Sequence, residues 1–140
     1  MIDNRRILAV DPGEKNIGIA ISDPLGSIAR PLRVITHTSM ILDAATIAQI
    51  ALENEAVLII VGCPSGPDGE EIRQSRHSQK LADTIRDQSQ IPVELWNENN
   101  STNIAKENLI QMNVRVSKRS GHQDALAAAV ILQNYLDVHQ

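Results

Sequence analysis

The first third of the chain combines a short apolar run with strict alternation, and both are patterns of β-strands. Residues 6–11 form an apolar run that ends at a Pro-Gly turn signal. Residues 16–22 place isoleucine at every second position, which is the period of a half-buried strand. Residues 28–35 are a third candidate, and Pro31 assigns it to a sheet edge because proline cannot donate a ladder hydrogen bond. We therefore expect three leading strands, of which the first two pair as a hairpin.

The rest of the chain alternates between helical and strand patterns. Residues 40–53 have apolar side chains at helical spacing, and Ser39 precedes them as a candidate N-cap. Residues 55–61 form a short apolar run typical of strands buried on both faces, so we expect this segment to be the central parallel strand. The remaining predicted elements are a helix over about 70–88, a strand over 91–95, a helix over about 102–112 and an apolar helix from about His122.

This order of elements predicts an α/β fold. Three leading strands followed by alternating helices and strands predict a mixed five-stranded sheet, with parallel strands after the leading ones and helices on both faces. The order matches that of the ribonuclease H-like fold. A length of 140 residues is that of one domain, so we expect residues 1–140 to form a single domain. Phe is absent and the only large aromatic residues are Trp96 and Tyr135, which predicts an aliphatic core.

The composition restricts the compartment and the mode of binding. The formal net charge of -4 argues against a general electrostatic attraction to nucleic acid. A negative net charge is still compatible with local basic patches that bind nucleic acid. Cys63 is the only cysteine, so no disulfide forms within the chain, which suits the reducing cytoplasm. No apolar run approaches the roughly 20 residues of a membrane span. We expect a soluble cytoplasmic protein that does not associate with a membrane.

Three acidic residues lie at the ends of predicted elements. Asp11 ends the first strand, Glu98 follows the last strand, and Asp124 lies near the start of the final helix. Taken singly, they also fit a turn former, a solvated loop residue and a complement to the helix dipole. Cleavage of a phosphodiester bond by two metal ions needs carboxylates that converge from rigid elements. In a sheet of this order the first and last strands can bring the three acids together.

Five basic residues are candidate substrate-binding groups. Lys15 lies in the turn between the first two strands, where it could reach a phosphate or be an ordinary exposed residue. Arg73 and Arg76 follow a Gly/Pro-rich loop at the start of a helix. At this position they could contact a phosphate, or they could belong to a solvated face of the helix. Lys118 and Arg119 belong to a basic segment before the last helix.

These motifs resemble those of the YqgF family, also called RuvX, of pre-16S rRNA nucleases related to RuvC-type Holliday-junction resolvases. Residues 8–23 are similar to the family's signature Asp-x-Gly-x-Lys-x-x-Gly-x-Ala-x-Ser-Asp, which is the most specific part of the match. Residues 61–64, with the later Asp-Gly at 68–69, resemble its Val-Gly-x-Pro loop. Asp124 and residues 131–136 resemble its C-terminal helix. The resemblance extends over almost the whole chain.

The resemblance implies a ribonuclease H-like fold and a site in which Asp11, Glu98 and Asp124 are both the catalytic residues and the ligands of Mg²⁺ or Mn²⁺. One segment departs from the family. Residues 97–102 read Asn-Glu-Asn-Asn-Ser-Thr where the family usually has Asp-Glu-Arg-Leu-Thr-Thr. The acid is retained, but the flanking Asp and the Arg are replaced.

The function implied by the resemblance is that of a hydrolase. The leading hypothesis is a divalent-metal-dependent endonuclease that processes the 5′ end of pre-16S rRNA in ribosome biogenesis. The alternatives are a resolvase that acts on branched DNA in recombination and repair, and a nucleic-acid-binding ribosome-assembly factor without catalysis. An ATPase of the sugar-kinase type ranks last, since such enzymes need two domains of this size. The expected partner is nucleic acid, and the working form is a monomer or a homodimer.

Overall fold

The computed structural model describes residues 4–97 and 122–139. Within these ranges the chain forms five strands and three helices: β1 (Ile7–Pro12), β2 (Asn16–Ser22), β3 (Ala29–Thr36), α1 (Met40–Glu53), β4 (Leu58–Cys63), α2 (Arg73–Gln88), β5 (Val93–Asn97) and α3 (His122–Val138). The helix predicted over 102–112 lies outside the described residues. In the described part, no helix is both long and apolar enough to cross a membrane.

The strands form one mixed sheet in the order β3-β2-β1-β4-β5. β1 and β2 are antiparallel, as are β2 and β3, whereas β1, β4 and β5 are parallel neighbours. The predicted hairpin, the five-stranded mixed sheet and the edge position of the strand with Pro31 are all confirmed.

The run at 55–61 is the central parallel strand, as predicted, since β4 lies between its parallel neighbours β1 and β5. In the whole five-stranded sheet, however, the middle strand is β1. The burial pattern could not separate the two, because both strands have neighbours on each side and are covered on both faces. β4 also begins later than predicted, since Glu55 has a positive φ of 56° and lies in the turn after α1.

Helix α1 has the predicted bounds, and its start depends on one side chain. Ser39 has an extended backbone, and its side chain accepts a hydrogen bond from the backbone N–H of Leu42. Such a cap satisfies one of the backbone donors that the first turn leaves unpaired. Helix α2 starts at Arg73 and not near residue 70, because Glu70 is used by the preceding loop: its carboxylate accepts from the N–H of Asp68 at 2.9 Å, and its carbonyl accepts from the N–H of Gly66 at 2.8 Å.

The two faces of the sheet carry different side chains. On one face, large residues such as Leu8, Ile19 and Ile59 pack under α1 and α2. On the other face, Ala9 and Ala20 pack under α3, together with a few larger residues. The prediction of helices on both faces is confirmed. Small side chains allow a helix axis to approach a sheet closely, so α3 lies nearer to the strands it crosses than a helix over large side chains would.

Asp23 closes the connection between β2 and β3. Its Oδ1 accepts hydrogen bonds from the backbone N–H groups of Ser27 at 2.7 Å and Ile28 at 2.9 Å. The N–H of Ile28, followed by that of Ser27, is the main cause that lowers the pKa of the Asp23 carboxyl below its ordinary value of 3.8. The ionised form is therefore favoured in the folded chain.

We expect Asp23→Asn to reduce the acid sensitivity of folding. Because the folded-state pKa lies below the unfolded value, the charged carboxylate stabilises the fold above that unfolded value, and this contribution is lost as the pH falls through the folded-state pKa. The amide oxygen can still accept both hydrogen bonds but does not titrate. Urea unfolding from about pH 6 to about pH 2 should therefore give a shallower loss of stability in the variant than in the wild type. Parallel profiles for the two chains would contradict this account.

Candidate active site

The carboxyl ends of three parallel strands meet at one edge of the sheet. Val10 of β1 pairs with Val61 of β4, which in turn pairs with Leu95 of β5. Asp11 is the next residue of β1, and Gly62 and Trp96 are the next residues of its neighbours. This carboxyl edge is where parallel sheets most often hold their functional groups. Asp11 thus lies where a catalytic side chain is expected.

Asp11 lies on the face of the sheet that α3 covers. Leu8 and Val10 belong to the core under α1 and α2, whereas Ala9 packs against α3. Because side chains alternate along a strand, Asp11 shares the α3 face with Ala9. Its partner on β2 is Gly18, and residues directly opposite each other in an antiparallel pair share a face.

Gly18 allows the first turn of α3 to touch the sheet beside Asp11. A Cβ atom added at Gly18 would lie 1.8 Å from the carbonyl oxygen of Asp124 and 2.4 Å from its carbonyl carbon. The backbones of β2 and α3 are therefore in direct contact at this point. Asp11 and Asp124 are both partly buried, one across the strand pair from Gly18 and the other above it. The structure thus brings these two predicted acids to the same corner of the sheet.

The third predicted acid, Glu98, lies outside the described residues. The chain is described up to Asn97, which pairs with Cys63 at the same carboxyl edge. Within 4–97 and 122–139 there is no group of three or more His, Cys, Asp or Glu residues that could hold a metal ion. The described part supplies two carboxylates, Asp11 and Asp124, and carboxylate oxygens are ligands suited to Mg²⁺ and Mn²⁺.

The end of β5 is attached to α3 by the two large aromatic residues. The ring of Trp96 meets that of Tyr135 edge-on, with centroids 5.1 Å apart, and lies 5.5 Å from the ring of His139. The hydroxyl of Tyr135 donates to Glu94 at 3.3 Å, and burial, followed by the nearby Glu94 charge, raises the Tyr135 pKa. These contacts place the last turns of α3 against the strand that leads to residue 98.

The predicted basic residues are distributed over both sides of the edge. Lys15 is exposed in the β1–β2 turn directly after Asp11. Arg73 and Arg76 are exposed on the first turns of α2, which packs on the sheet face opposite that of Asp11. Lys118 and Arg119 lie outside the described residues. Of the three described basic residues, Lys15 is the one in the turn that follows β1 and Asp11.

Sequence reasoning missed two glycines that shape this corner. Gly18 interrupts a strand whose other buried positions are Ile, Ala or Ser, and Gly62 lies between β1 and β5 on the α3 face. Neither residue carries chemistry. A glycine in the interior of a strand indicates the close approach of another backbone, and this signal could have identified Gly18.

The sheet order, with Asp11 and Asp124 at the carboxyl edge, defines an α/β protein of the ribonuclease H-like class. Solved structures agree on this fold: the RuvC protein of Thermus thermophilus, in complex with a Holliday-junction substrate, superposes with a TM-score of 0.60 at 15% identity, covering 96% of each chain. The Holliday-junction resolvase of fowlpox virus gives a TM-score of 0.58 at 13% identity, covering 96% of this chain and 99% of that one.

Sequence comparison identifies the family. Residues 5–138 match the model of the RuvX family, described as Holliday junction resolvase, and the chain belongs to this family. A protein of Myxococcus xanthus named as a pre-16S rRNA nuclease is 37% identical over 135 residues, which are 96% of this chain and 89% of that protein. Another of the same name, from Desulforamulus reducens, is 39% identical over 132 residues, which are 94% and 96% of the two chains.

We expect Gly18→Ala to destabilise the fold strongly, by about 3 kcal/mol, because the added methyl group meets backbone atoms that cannot move without displacing α3. Gly66→Ala is the matched control. Its added Cβ would lie 1.9 Å from Oε1 of Glu70, the end of a side chain that can rotate away, so we expect a loss of no more than about 1 kcal/mol. Urea unfolding followed by circular dichroism measures both, and equal losses would contradict the backbone contact.

Proposed function

We propose that this chain is a divalent-metal-dependent nuclease that hydrolyses phosphodiester bonds, with Asp11, Glu98 and Asp124 as metal ligands. The observation that carries the proposal is the contact of Gly18, the strand partner of Asp11, with the Asp124 backbone at the carboxyl edge, which supports a joint role for the two acids. Membership of the RuvX family supports the same activity.

Glu98 completes the proposed ligand set. β5 lies two positions from β1, and strands are spaced by about 4.8 Å, so the two strands are roughly 10 Å apart. Gly62 on the intervening strand has no side chain, and Trp96, two residues before Glu98, packs on the α3 face.

The residues of this chain would have two tasks in the reaction, to hold the metal ions and to bind phosphates of the substrate. Asp11 and Asp124 would hold the ions from a rigid strand and a rigid helix, so that little reorganisation accompanies catalysis. Bound Mg²⁺ or Mn²⁺ would supply the charge that activates the attacking water and stabilises the leaving oxygen. Lys15, Arg73, Arg76, Lys118 and Arg119 would bind phosphates and so orient the strand without reading its bases.

The proposed substrate is the 5′ end of pre-16S rRNA. The names of the relatives from Myxococcus xanthus and Desulforamulus reducens favour this substrate. Branched DNA is the second candidate, favoured by the family description as Holliday junction resolvase. We further propose that residues 1–140 act as one domain in the cytoplasm, as a monomer or a homodimer, which is consistent with a family match over 5–138.

We expect Asp124→Asn to lower the cleavage rate by about a hundredfold or more, because the amide removes one negative charge from the proposed metal site. The matched control is Asp137→Asn, which changes an exposed acid at the other end of the same helix and should cleave at the wild-type rate. The assay uses labelled pre-16S rRNA and a four-way DNA junction, each with Mg²⁺, with Mn²⁺ and with EDTA. Cleavage by Asp124→Asn at the rate of the control would exclude its proposed role.

Metal binding can be measured separately from cleavage with Trp96, the only tryptophan of the chain. Mn²⁺ quenches nearby fluorophores, so we expect saturable quenching of the wild type and a dissociation constant at least about tenfold weaker in Glu98→Gln. Glu94→Gln is the control, since Glu94 lies on β5, the strand that leads to Glu98, and its carboxylate accepts a hydrogen bond from Tyr135 of α3. Wild-type binding of Mn²⁺ without any cleavage would favour the alternative of a non-catalytic assembly factor, whereas identical titrations of the wild type and Glu98→Gln would remove Glu98 from the site.

A further inference from the structure

A second polar pair lies at the carboxyl edge, at the junction of β3 and α1. Nδ1 of His37 is hydrogen-bonded to Oδ2 of Asp43, which lies in the first turn of α1. β3 runs parallel to β1, since each is antiparallel to β2, so the end of β3 reaches the same edge of the sheet as Asp11. The metal chemistry proposed above does not use this pair.

The Asp43 carboxylate is a fixed anchor. Its side chain is only 4% exposed, and Oδ1 also accepts from the backbone N–H of Thr38 at 3.0 Å and from its hydroxyl at 3.2 Å. A buried carboxylate with several donors has one orientation, and it holds the partner ring in one orientation as well. The hydrogen bond to Nδ1 therefore determines where the other ring nitrogen points.

The structural role of the pair uses only one of the two ring nitrogens of His37, Nδ1. Thr38 already joins the end of β3 to α1 through its two bonds to Asp43, so this junction has contacts that do not involve His37. The His37 side chain is 36% exposed, and among the described residues Nε2 has no protein hydrogen-bond partner. A polar atom of a partly exposed ring that is held in one orientation is available to contact a ligand.

The imidazole lies beside the turn that follows Asp11. The backbone N–H of His37 donates to the carbonyl oxygen of Lys15 at 2.8 Å, and the neighbouring residues Thr36 and Asn16 are strand partners. The Lys15 side chain is exposed. Glu14 is the exposed acid of the same turn. An ammonium group and a fixed imidazole thus lie at the same carboxyl edge as Asp11, with the imidazole on the side of the sheet that α1 covers.

We propose that His37 donates a hydrogen bond from Nε2–H to a non-bridging phosphate oxygen of the substrate strand, while its Nδ1–H donates to Asp43, the positioning residue. This inference rests on the proposed function, because it assumes a nucleic-acid strand at the carboxyl edge. It adds a phosphate contact on the β3 side of that edge, across β1 from the strand that leads to Glu98.

The test is the affinity of His37→Asn for nucleic acid. The asparagine amide nitrogen occupies nearly the place of Nδ1 and can still donate to Asp43, whereas nothing replaces Nε2. Fluorescence anisotropy in EDTA, where cleavage does not interfere, measures binding of a short single-stranded RNA and of a four-way DNA junction. We expect the dissociation constant to rise about tenfold, which is typical of one lost hydrogen bond to a charged group, with an unchanged midpoint of urea unfolding.

Two measurements separate a phosphate contact from a structural role. His139→Asn is the matched control, because His139 is also exposed and its Nδ1 also contacts a protein group, the carbonyl of Tyr135 at 2.9 Å. It should bind both probes like the wild type. In long-range ¹⁵N NMR spectra, addition of the RNA should shift the Nε2 resonance of His37, identified by its absence in His37→Asn, and leave Nδ1 nearly unchanged.

The outcomes distinguish failure of the His37 phosphate contact from failure of the nuclease proposal. Wild-type affinity in His37→Asn, or a loss of affinity that accompanies a lower unfolding midpoint, overturns the phosphate contact and leaves the nuclease proposal intact. A wild-type chain that binds neither probe and cleaves neither substrate overturns both. A chain that binds but does not cleave, with weaker binding in His37→Asn, retains the phosphate contact and refutes the nuclease.

Discussion

The contact between the backbones of Gly18 and Asp124 is the constraint on which the rest of the site depends. A methyl group at position 18 would lie 1.8 Å from the Asp124 carbonyl oxygen, so the approach of α3 to the sheet tolerates no side chain there. Because Gly18 is the strand partner of Asp11, the same contact sets the separation between the two acids. A packing requirement and a chemical requirement are thus met by one glycine.

The difference in side-chain size between the two faces of the sheet also lets α3 lie close to the strands. Large aliphatic residues under α1 and α2 bury most of the apolar surface and provide much of the stabilisation, at roughly 1.5–3 kcal/mol for each fully buried Ile or Leu. Alanines and glycines on the other face let α3 lie close to the strands that end at the carboxyl edge. The fold therefore separates the face with the bulkier core from the face that carries the acids.

Polar groups from distant parts of the chain lie at the carboxyl edge. Asp11, the β1–β2 turn with Lys15, and the His37–Asp43 pair all lie along it. Asp11 and Asp124 suit metal ions, whereas the exposed Lys15 in the turn after β1 suits phosphate. This combination is what a site needs if it binds a polyanion and divalent cations together.

The local pattern was sufficient for most of the fold. Alternating isoleucines, the Ser39 cap and the order of elements predicted the hairpin, α1 and a mixed five-stranded sheet, because period and capping are properties of neighbouring residues. The family signature likewise indicated Asp11 and Asp124. Only the tertiary structure decided that β1 is the middle strand and that these two acids meet across Gly18. The physical reason is that strand order and the depth of helix packing arise from contacts between residues far apart in sequence, which no local pattern encodes.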